Sequence, residues 1–229
     1  MLQKKYRSKI VSIVNPFKGI YTLEFESLNG NYKYHPGQFL HLAHDSEYDG
    51  SGQWPESRCF SMQSNPDEES LKITYAVKGK FTTGMEQQLR VGSEVWLKLP
   101  YGDLFTQTHN KSNSVFIAGG TGITPFLSLF GDFSFGTYEK PILYAGFRNH
   151  EMNLYMDQME LARKINPGLE IHLVYQDMDG ALDIEKIYQD SNNKTSFFIS
   201  GPPLMISSFK TYLLVQGLSR EQIKTDDWE

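Results

Sequence analysis

Val115-Phe116-Ile117-Ala118 runs straight into Gly119-Gly120-Thr121-Gly122-Ile123-Thr124-Pro125, the pattern of a buried strand opening into a glycine turn. Glycines there let backbone approach a bulky group without interference from a Cβ. Thr124 then reads as an N-cap and Pro125 as the first helical residue. The free amides of that first turn would face an anion such as a dinucleotide pyrophosphate. The same residues also suit a plain strand-to-helix turn. They depart from the Gly-x-Gly-x-x-Gly fingerprint, because Pro125 stands at the third glycine. Ser200-Gly201-Pro202-Pro203-Leu204-Met205 closes a later apolar run, and its prolines after a glycine fix a rigid turn that starts a helix. Both loops end strands of one inferred sheet, so they should flank one crevice. Upstream lies Arg58-Cys59-Phe60-Ser61. The planar fork of Arg58 can grip a phosphate. Phe60, two residues on along a strand, points to the same face and can lie against a flat ring, with the Ser61 hydroxyl and amide at that ring's edge. Taken alone this triplet means little, since exposed arginines and core phenylalanines occur everywhere.

The elements that must position these residues fall into two halves. Leu71, Ile73, Tyr75 and Val77 alternate with Lys72, Thr74, Ala76 and Lys78, the period of a half-buried strand. Similar short runs at Ile10–Val14, Tyr21–Phe25, Phe39–Ala43 and Glu94–Leu99 are separated by Asn-Gly, Pro-Gly and Val-Gly turns. Thr83–Leu89 is the one helix expected among them. This half predicts a small antiparallel barrel. Polar Thr106–Asn113 reads as a linker. Beyond it, strands at Val115–Ala118, Ile142–Phe147, Ile171–Tyr175 and Phe197–Ser200 alternate with helices at Pro125–Phe130, Met152–Ile165, Asp183–Gln189 and Leu204–Gln216. That alternation implies a parallel, Rossmann-like α/β domain that binds ligands at the carboxyl ends of its strands. Residues 1–108 are therefore expected to form the barrel and 109–229 the α/β domain. No internal repeat or low-complexity tract interrupts them.

Composition narrows the function classes. The 229 residues are 39% hydrophobic and 21% charged, enough to bury a core. A net charge of −5 without long runs of one sign argues against general nucleic-acid binding. The single cysteine, Cys59, excludes an intramolecular disulfide and an iron–sulfur cluster ligated by this chain's cysteines alone. No apolar stretch is long enough to span a bilayer, so a cytoplasmic protein is expected. His41 and His44 sit at a spacing that does not converge on one face, and no metal site is expected.

Together these segments resemble the ferredoxin–NADP reductase family, over nearly the whole chain from about Tyr6 to Trp228. The resemblance implies a flavin-binding β-barrel followed by a nicotinamide-binding domain, with FAD (or FMN) and NADH or NADPH as cofactors. Arg58, Cys59, Phe60 and Ser61 correspond to the family's Arg-x-Tyr/Phe-Ser motif. That puts Arg58 on the flavin phosphates, Phe60 against the isoalloxazine and Ser61 near flavin N5. Cys59 within it is read as a small packed residue rather than a reactive thiol. Pro36-Gly37-Gln38-Phe39 is similar to a segment just upstream in the family. Ala76, Val77 and Lys78, with Thr82, Thr83 and Gly84, resemble its ribityl and phosphate contacts, and Leu99–Phe105 the usual end of the barrel. Gly119, Gly120, Thr121 and Gly122 match its nicotinamide loop, with Thr121 next to the nicotinamide. Gly201, Pro202 and Met205 match its second loop. Tyr144–Arg148 is similar to the strand whose end approaches the adenosine ribose.

Three departures stand out. Ser200 occupies the place of the family's usual cysteine and Phe60 that of the commoner tyrosine; Trp228, near the C-terminus, stands where many members carry an aromatic over the flavin, and packing against the last strand explains it equally well. After Ile171–Tyr175, NADP-specific members carry Ser and Arg. Gln176 and Asp177 stand there instead, and a carboxylate favours NADH. Arg148 works in the opposite direction. The implied reaction is hydride transfer from nicotinamide C4 to flavin N5, with Ser61, Thr121 and Ser200 as the catalytic positions. Electrons would then pass to a ferredoxin, a flavodoxin or an oxygenase component. Release of free reduced flavin, or a non-catalytic flavin-binding regulatory subunit, are the other readings that these residues leave open.

Overall fold

A computed structural model describes residues 1–226. The chain divides into two compact units, Met1–Asp103 and a second that begins at Leu104. Trp228 lies outside the described residues.

The first unit is an antiparallel sheet of strands β1 (Lys4–Phe17), β2 (Ile20–Ser27), β3 (Phe39–Ala43), β4 (Arg58–Ser61), β5 (Leu71–Ala76) and β6 (Glu94–Tyr101). Their order is β4-β3-β6-β1-β2-β5. Just past β4, the Gln63 amide donates to the Lys72 carbonyl at 2.8 Å, which all but closes the sheet into a barrel. Inward-facing Leu23, Phe25, Leu40, Leu42, Leu71, Ile73, Leu97 and Leu99 are buried and fill its interior. β1 is longer than the expected Ile10–Val14. Its first half pairs with β6 and its second with β2, and register shifts between Ile10 and Ser12 and between Val14 and Phe17 break its alternation. Bulges of this kind let one strand bend between two neighbours.

Helix α1 (Lys80–Gln88) starts ahead of the expected Thr83. The Thr82 hydroxyl accepts from the amides of Lys78 (3.0 Å) and Gly79 (3.2 Å), so the capping oxygen sits inside the first turn. A search for a preceding Ser or Asp would miss it.

The second unit is a parallel sheet of β7 (Ser114–Gly119), β8 (Pro141–Phe147), β9 (Glu170–Tyr175), β10 (Ser196–Ser200) and β11 (Ile223–Thr225). The order is β11-β10-β7-β8-β9. β11 is too short to carry a strand period and was not among the expected strands. Alternate residues of β7 face opposite layers. Phe116 and Ala118 pack beneath α2 (Thr124–Phe130) and α3 (Met156–Ile165), whereas Val115 and Ile117 pack beneath α5 (Ile184–Gln189) and α6 (Pro203–Val215). Phe116 stacks on Phe198 of the neighbouring strand, ring centroids 5.0 Å apart. A short helix α4 (Gln176–Asp179) follows β9 directly. Among the described residues, no helix is long and apolar enough to cross a membrane.

The polar stretch Thr106–Asn113 is not a free tether. His109 Nδ1 lies 2.7 Å from the Gln107 carbonyl and Nε2 lies 2.6 Å from the Tyr138 hydroxyl. The carbonyl only accepts, so Nδ1 carries the proton and Nε2 accepts from Tyr138. Asn110 bonds the Ser196 hydroxyl and the Lys194 carbonyl, and Gln107 accepts from the ammonium of buried Lys224. Local polarity suggested a linker, but tertiary partners satisfy these groups.

Burial pushes the His109 pKa down, and nearby Lys111 and Lys224 push it the same way. The folded chain therefore binds this proton more weakly than the unfolded chain. The stability this histidine contributes is complete above its ordinary value of 6.5 and declines as pH falls below it. Thermal unfolding followed across that range should show a steeper acid-side loss in the wild type than in His109→Gln. Parallel curves would show that the imidazole is not responsible.

Candidate cofactor sites

In the second unit the chain leaves β7 toward β8 on one side, while β10 lies on the other. The loops after β7 and β10 thus open side by side at the carboxyl edge of the sheet, where such sheets bind ligands. Their approach is extreme. A Cβ at Gly122 would stand 2.5 Å from both N and Cα of Gly201. A Cβ at Gly119 would meet Pro202 Cδ at 2.8 Å and Met205 Sδ at 3.0 Å, and Gly201 itself has φ +152°. Three of the motif glycines therefore let two loops interlock. Gly120 is different: its φ is +56°, and among the described residues nothing beyond its chain neighbours lies within 4 Å of its missing Cβ. It is the glycine that opens onto free space, as a bound dinucleotide requires.

Thr124 is not the N-cap. A 3-10 turn over Gly120–Ile123 runs into α2, and Thr124 has helical backbone with its hydroxyl donating to the Thr121 carbonyl at 3.0 Å. The helical run begins at Gly120, which moves the first-turn amides to Gly120, Thr121 and Gly122.

Ser200 is buried, and its hydroxyl donates to the Asp226 carboxylate at 3.2 Å. The Asp226 amide in turn donates to the Ile199 carbonyl at 3.0 Å, extending the ladder past β11. Sequence reasoning missed Asp226, because nothing around a three-residue strand announces that its end returns to the β10 loop. Arg148 and Asp177 are both exposed at the same sheet edge, joined by the Asp177 amide donating to the Arg148 carbonyl at 3.1 Å. Asp179 accepts from the Tyr175 amide at 2.9 Å.

In the first unit, the Arg58 guanidinium lies 5.1 Å over the Phe81 ring, and Phe81 belongs to the first turn of α1. That turn contains no acidic residue, and a Cβ at Gly79, which precedes it, would meet nothing within 4 Å. Exposed Lys78 and Lys80 flank it. A guanidinium beside an open helix N-terminus suits a phosphate chain. Among the described residues, the carboxylate on Arg58 is that of exposed Glu56 at 3.0 Å, a pair that holds the arginine weakly.

Phe60 is 8% exposed and meets Tyr75 edge-on at 5.8 Å, so its ring is seated in the barrel wall. Ser61 is buried beside it. Cys59 turns to the other face of β4, where its Sγ lies 3.5 Å from His41 Nε2. Burial raises the thiol pKa, which disfavours its thiolate form.

Ala76 is paired in the sheet with Ile20, and the Val77 amide donates to the Gly19 carbonyl at 2.8 Å. Thr83 and Gly84 lie inside α1, and a Cβ at Gly84 would touch His44 Cε1 at 3.4 Å. His44, itself edge-on to Phe81 at 4.7 Å, is a neighbour of this turn that the sequence weighed only as a metal ligand. Pro36-Gly37-Gln38 has a structural task. Gln38 accepts from the His35 amide at 2.8 Å and donates to the Gly102 carbonyl at 2.7 Å, tying the start of β3 to the end of β6.

Comparison with known proteins follows the same division. Residues 116–211 match the model of the oxidoreductase NAD-binding domain. The reductase component of propane 2-monooxygenase from Mycolicibacterium smegmatis is 25% identical, over 97% of this chain and 67% of its own length. Sulfhydrogenase 2 subunit gamma of Pyrococcus furiosus is also 25% identical, over 96% of this chain and 82% of its own. The ferredoxin NADP+ reductase of Neisseria gonorrhoeae, solved with bound FAD and NADP, superposes with a TM-score of 0.81 at 19% identity, covering 97% of this chain and 98% of that one. The chain spans about two thirds of the length of the propane monooxygenase reductases it matches.

The two kinds of glycine separate experimentally. Gly122→Ala forces a backbone clash beyond ordinary overpacking, costing about 3 kcal/mol or more, and should abolish dinucleotide binding. Gly120→Ala has room and should cost only about 1–2 kcal/mol, from its left-handed backbone. Chemical denaturation with and without NADH measures both. Equal effects would refute the interlock.

Proposed function

We propose that this chain, which belongs to the ferredoxin–NADP reductase-like flavin oxidoreductases, oxidises NAD(P)H on a bound FAD and hands the electrons to an acceptor protein. The observation that carries this reading is the interlocked pair of glycine loops at the switch point of a parallel sheet. It is supported by a second anion site, formed by Arg58 and the first turn of α1. Bound flavin supplies the chemistry that no side chain here offers: it accepts a hydride and gives up electrons.

The protein's own work is placement. Arg58, Lys78 and the amides opening α1 hold the flavin phosphates, while Phe60 and Ser61 form the wall at its ring. Gly120, Thr121 and Gly122 receive the dinucleotide pyrophosphate on their amides, and Thr121 borders the nicotinamide. Ser200 keeps its orientation through Asp226, which fixes the turn into Gly201 and Pro202. Relatives named as oxygenase reductase components and as a sulfhydrogenase subunit support an acceptor that is a ferredoxin or a partner enzyme. A reaction drawing on NAD(P)H and ending on such a partner belongs in the cytoplasm.

NADH is the favoured donor. Asp177 and Asp179 lie in α4, and the Asp177 amide bonds the carbonyl of Arg148 on the neighbouring loop. A 2′-phosphate would meet that carboxylate pair, whereas a 2′-hydroxyl can donate to it. Steady-state reduction of an artificial one-electron acceptor with added FAD tests the whole reading. Turnover should be faster with NADH than with NADPH, and Asp177→Asn should narrow that ratio by about fivefold to tenfold, on the order of 1 kcal/mol. Arg58→Ala should raise the FAD concentration needed without changing the ratio. Absence of turnover with either nucleotide, FAD being bound, would reject the enzyme.

A further inference from the structure

The Met205 thioether is wedged between the two glycine loops. A Cβ at Gly119 would meet its Sδ at 3.0 Å and its Cε at 3.3 Å, and a Cβ at Gly201 would meet its Cε at 2.8 Å. The sulfur and its methyl group thus rest against the bare Cα faces of both glycines. Met205 is nevertheless only half-buried as a residue. Met62, Met85 and Met159 are 0%, 1% and 2% exposed and protected by comparison.

We propose that Met205 is an oxidation site, through which hydrogen peroxide unseats the dinucleotide loops. The proposal rests on the function above in one respect, since reduced flavin that meets dioxygen is the source of peroxide. In the step itself, a sulfur lone pair attacks one peroxide oxygen, an S–O bond forms and the O–O bond breaks. The departing oxygen takes up the proton and leaves as water. The thioether loses two electrons and the peroxide gains them. The product is a polar, chiral sulfoxide in place of a flexible apolar group. The contacts against Gly119 and Gly201 leave no room for an added oxygen on that side. The side chain must therefore push a loop aside or swing into water, and either movement removes the wedge. The enzyme would thus lose affinity for its electron donor when its electrons go to oxygen instead of the acceptor. Methionine sulfoxide reductase would restore it.

The test is a peroxide titration of the full chain, read by peptide mass, by amide hydrogen exchange over residues 119–123 and 200–203, and by NADH half-saturation. Met156 and Met178, 41% and 79% exposed, are internal references for simple accessibility. Met205 should gain one oxygen over the same peroxide range as Met156. Loop exchange should rise in step with it, half-saturation should rise several-fold, and methionine sulfoxide reductase should reverse all three. In Met205→Leu, whatever its starting affinity, peroxide should leave exchange and half-saturation where they stood. Met205→Gln should show the raised exchange without peroxide. Met205 remaining unmodified while Met156 is oxidised would overturn the proposal, as would complete Met205 oxidation with unchanged loop exchange. A wild type that never binds NADH would instead defeat the functional reading, and mass and exchange would still judge Met205.

Discussion

Gly122 approaches Gly201 so closely that it cannot carry a side chain, and the second unit is organised around that contact. A Cβ at Gly122 would sit 2.5 Å from backbone atoms of the β10 loop, well inside any tolerable separation. The contact exists because β7 and β10 are hydrogen-bonded neighbours in parallel register, Ile117 against Ile199 and Ala118 against Ser200. That register in turn lets Phe116 stack on Phe198 beneath α2. Interiors packed like this transmit displacement rather than absorb it. A shift of either strand would part the loops, and a parting of the loops would leave Ser200, Met205 and Gly120 without fixed positions. Asp226 adds a polar tie from the following strand, so the β10 loop is held from both sides.

The barrel solves a different problem with different means. Arg58 is exposed and must stay so to meet an anion, yet it has to be held near the opening of α1. Packing of its guanidinium over Phe81 achieves this without a strong ion pair that would compete for the charge. The strand beneath it is anchored by Leu40 and Leu42 of β3, and Gln38 joins the two ends of that hairpin to the Gly102 turn. The segments that resemble the family thus divide by task. Some present groups to a cofactor; Gln38, Gly119, Gly122 and Gly201 hold the frame that presents them.

Much of this was legible in the chain. β3 occupies Phe39–Ala43 as its alternation predicts, and β7, β8, β9 and β10 begin and end within a residue or so of their apolar runs. Residues with a clean period were readable because burial on one or both faces imposes that period. The failures have physical causes. β1 changes partners midway and is bulged, so its period dissolves. α1 is capped from within by Thr82. The stretch 106–113 is polar but satisfied by distant groups such as Tyr138 and Ser196, which local composition does not reveal. Asp226 reaches Ser200 only because β11 lies beside β10. The glycines were recognised, but their individual duties were not: only distances show that Gly122 serves a neighbouring loop while Gly120 faces open space.

The most direct test of the central claim is an anaerobic absorbance titration of the purified protein, loaded with FAD, against NADH. The account predicts that the flavin's visible band bleaches as NADH is added, in proportion to the FAD bound. A band that persists through excess NADH and excess NADPH would contradict it, because the two loops would then hold no functional electron donor.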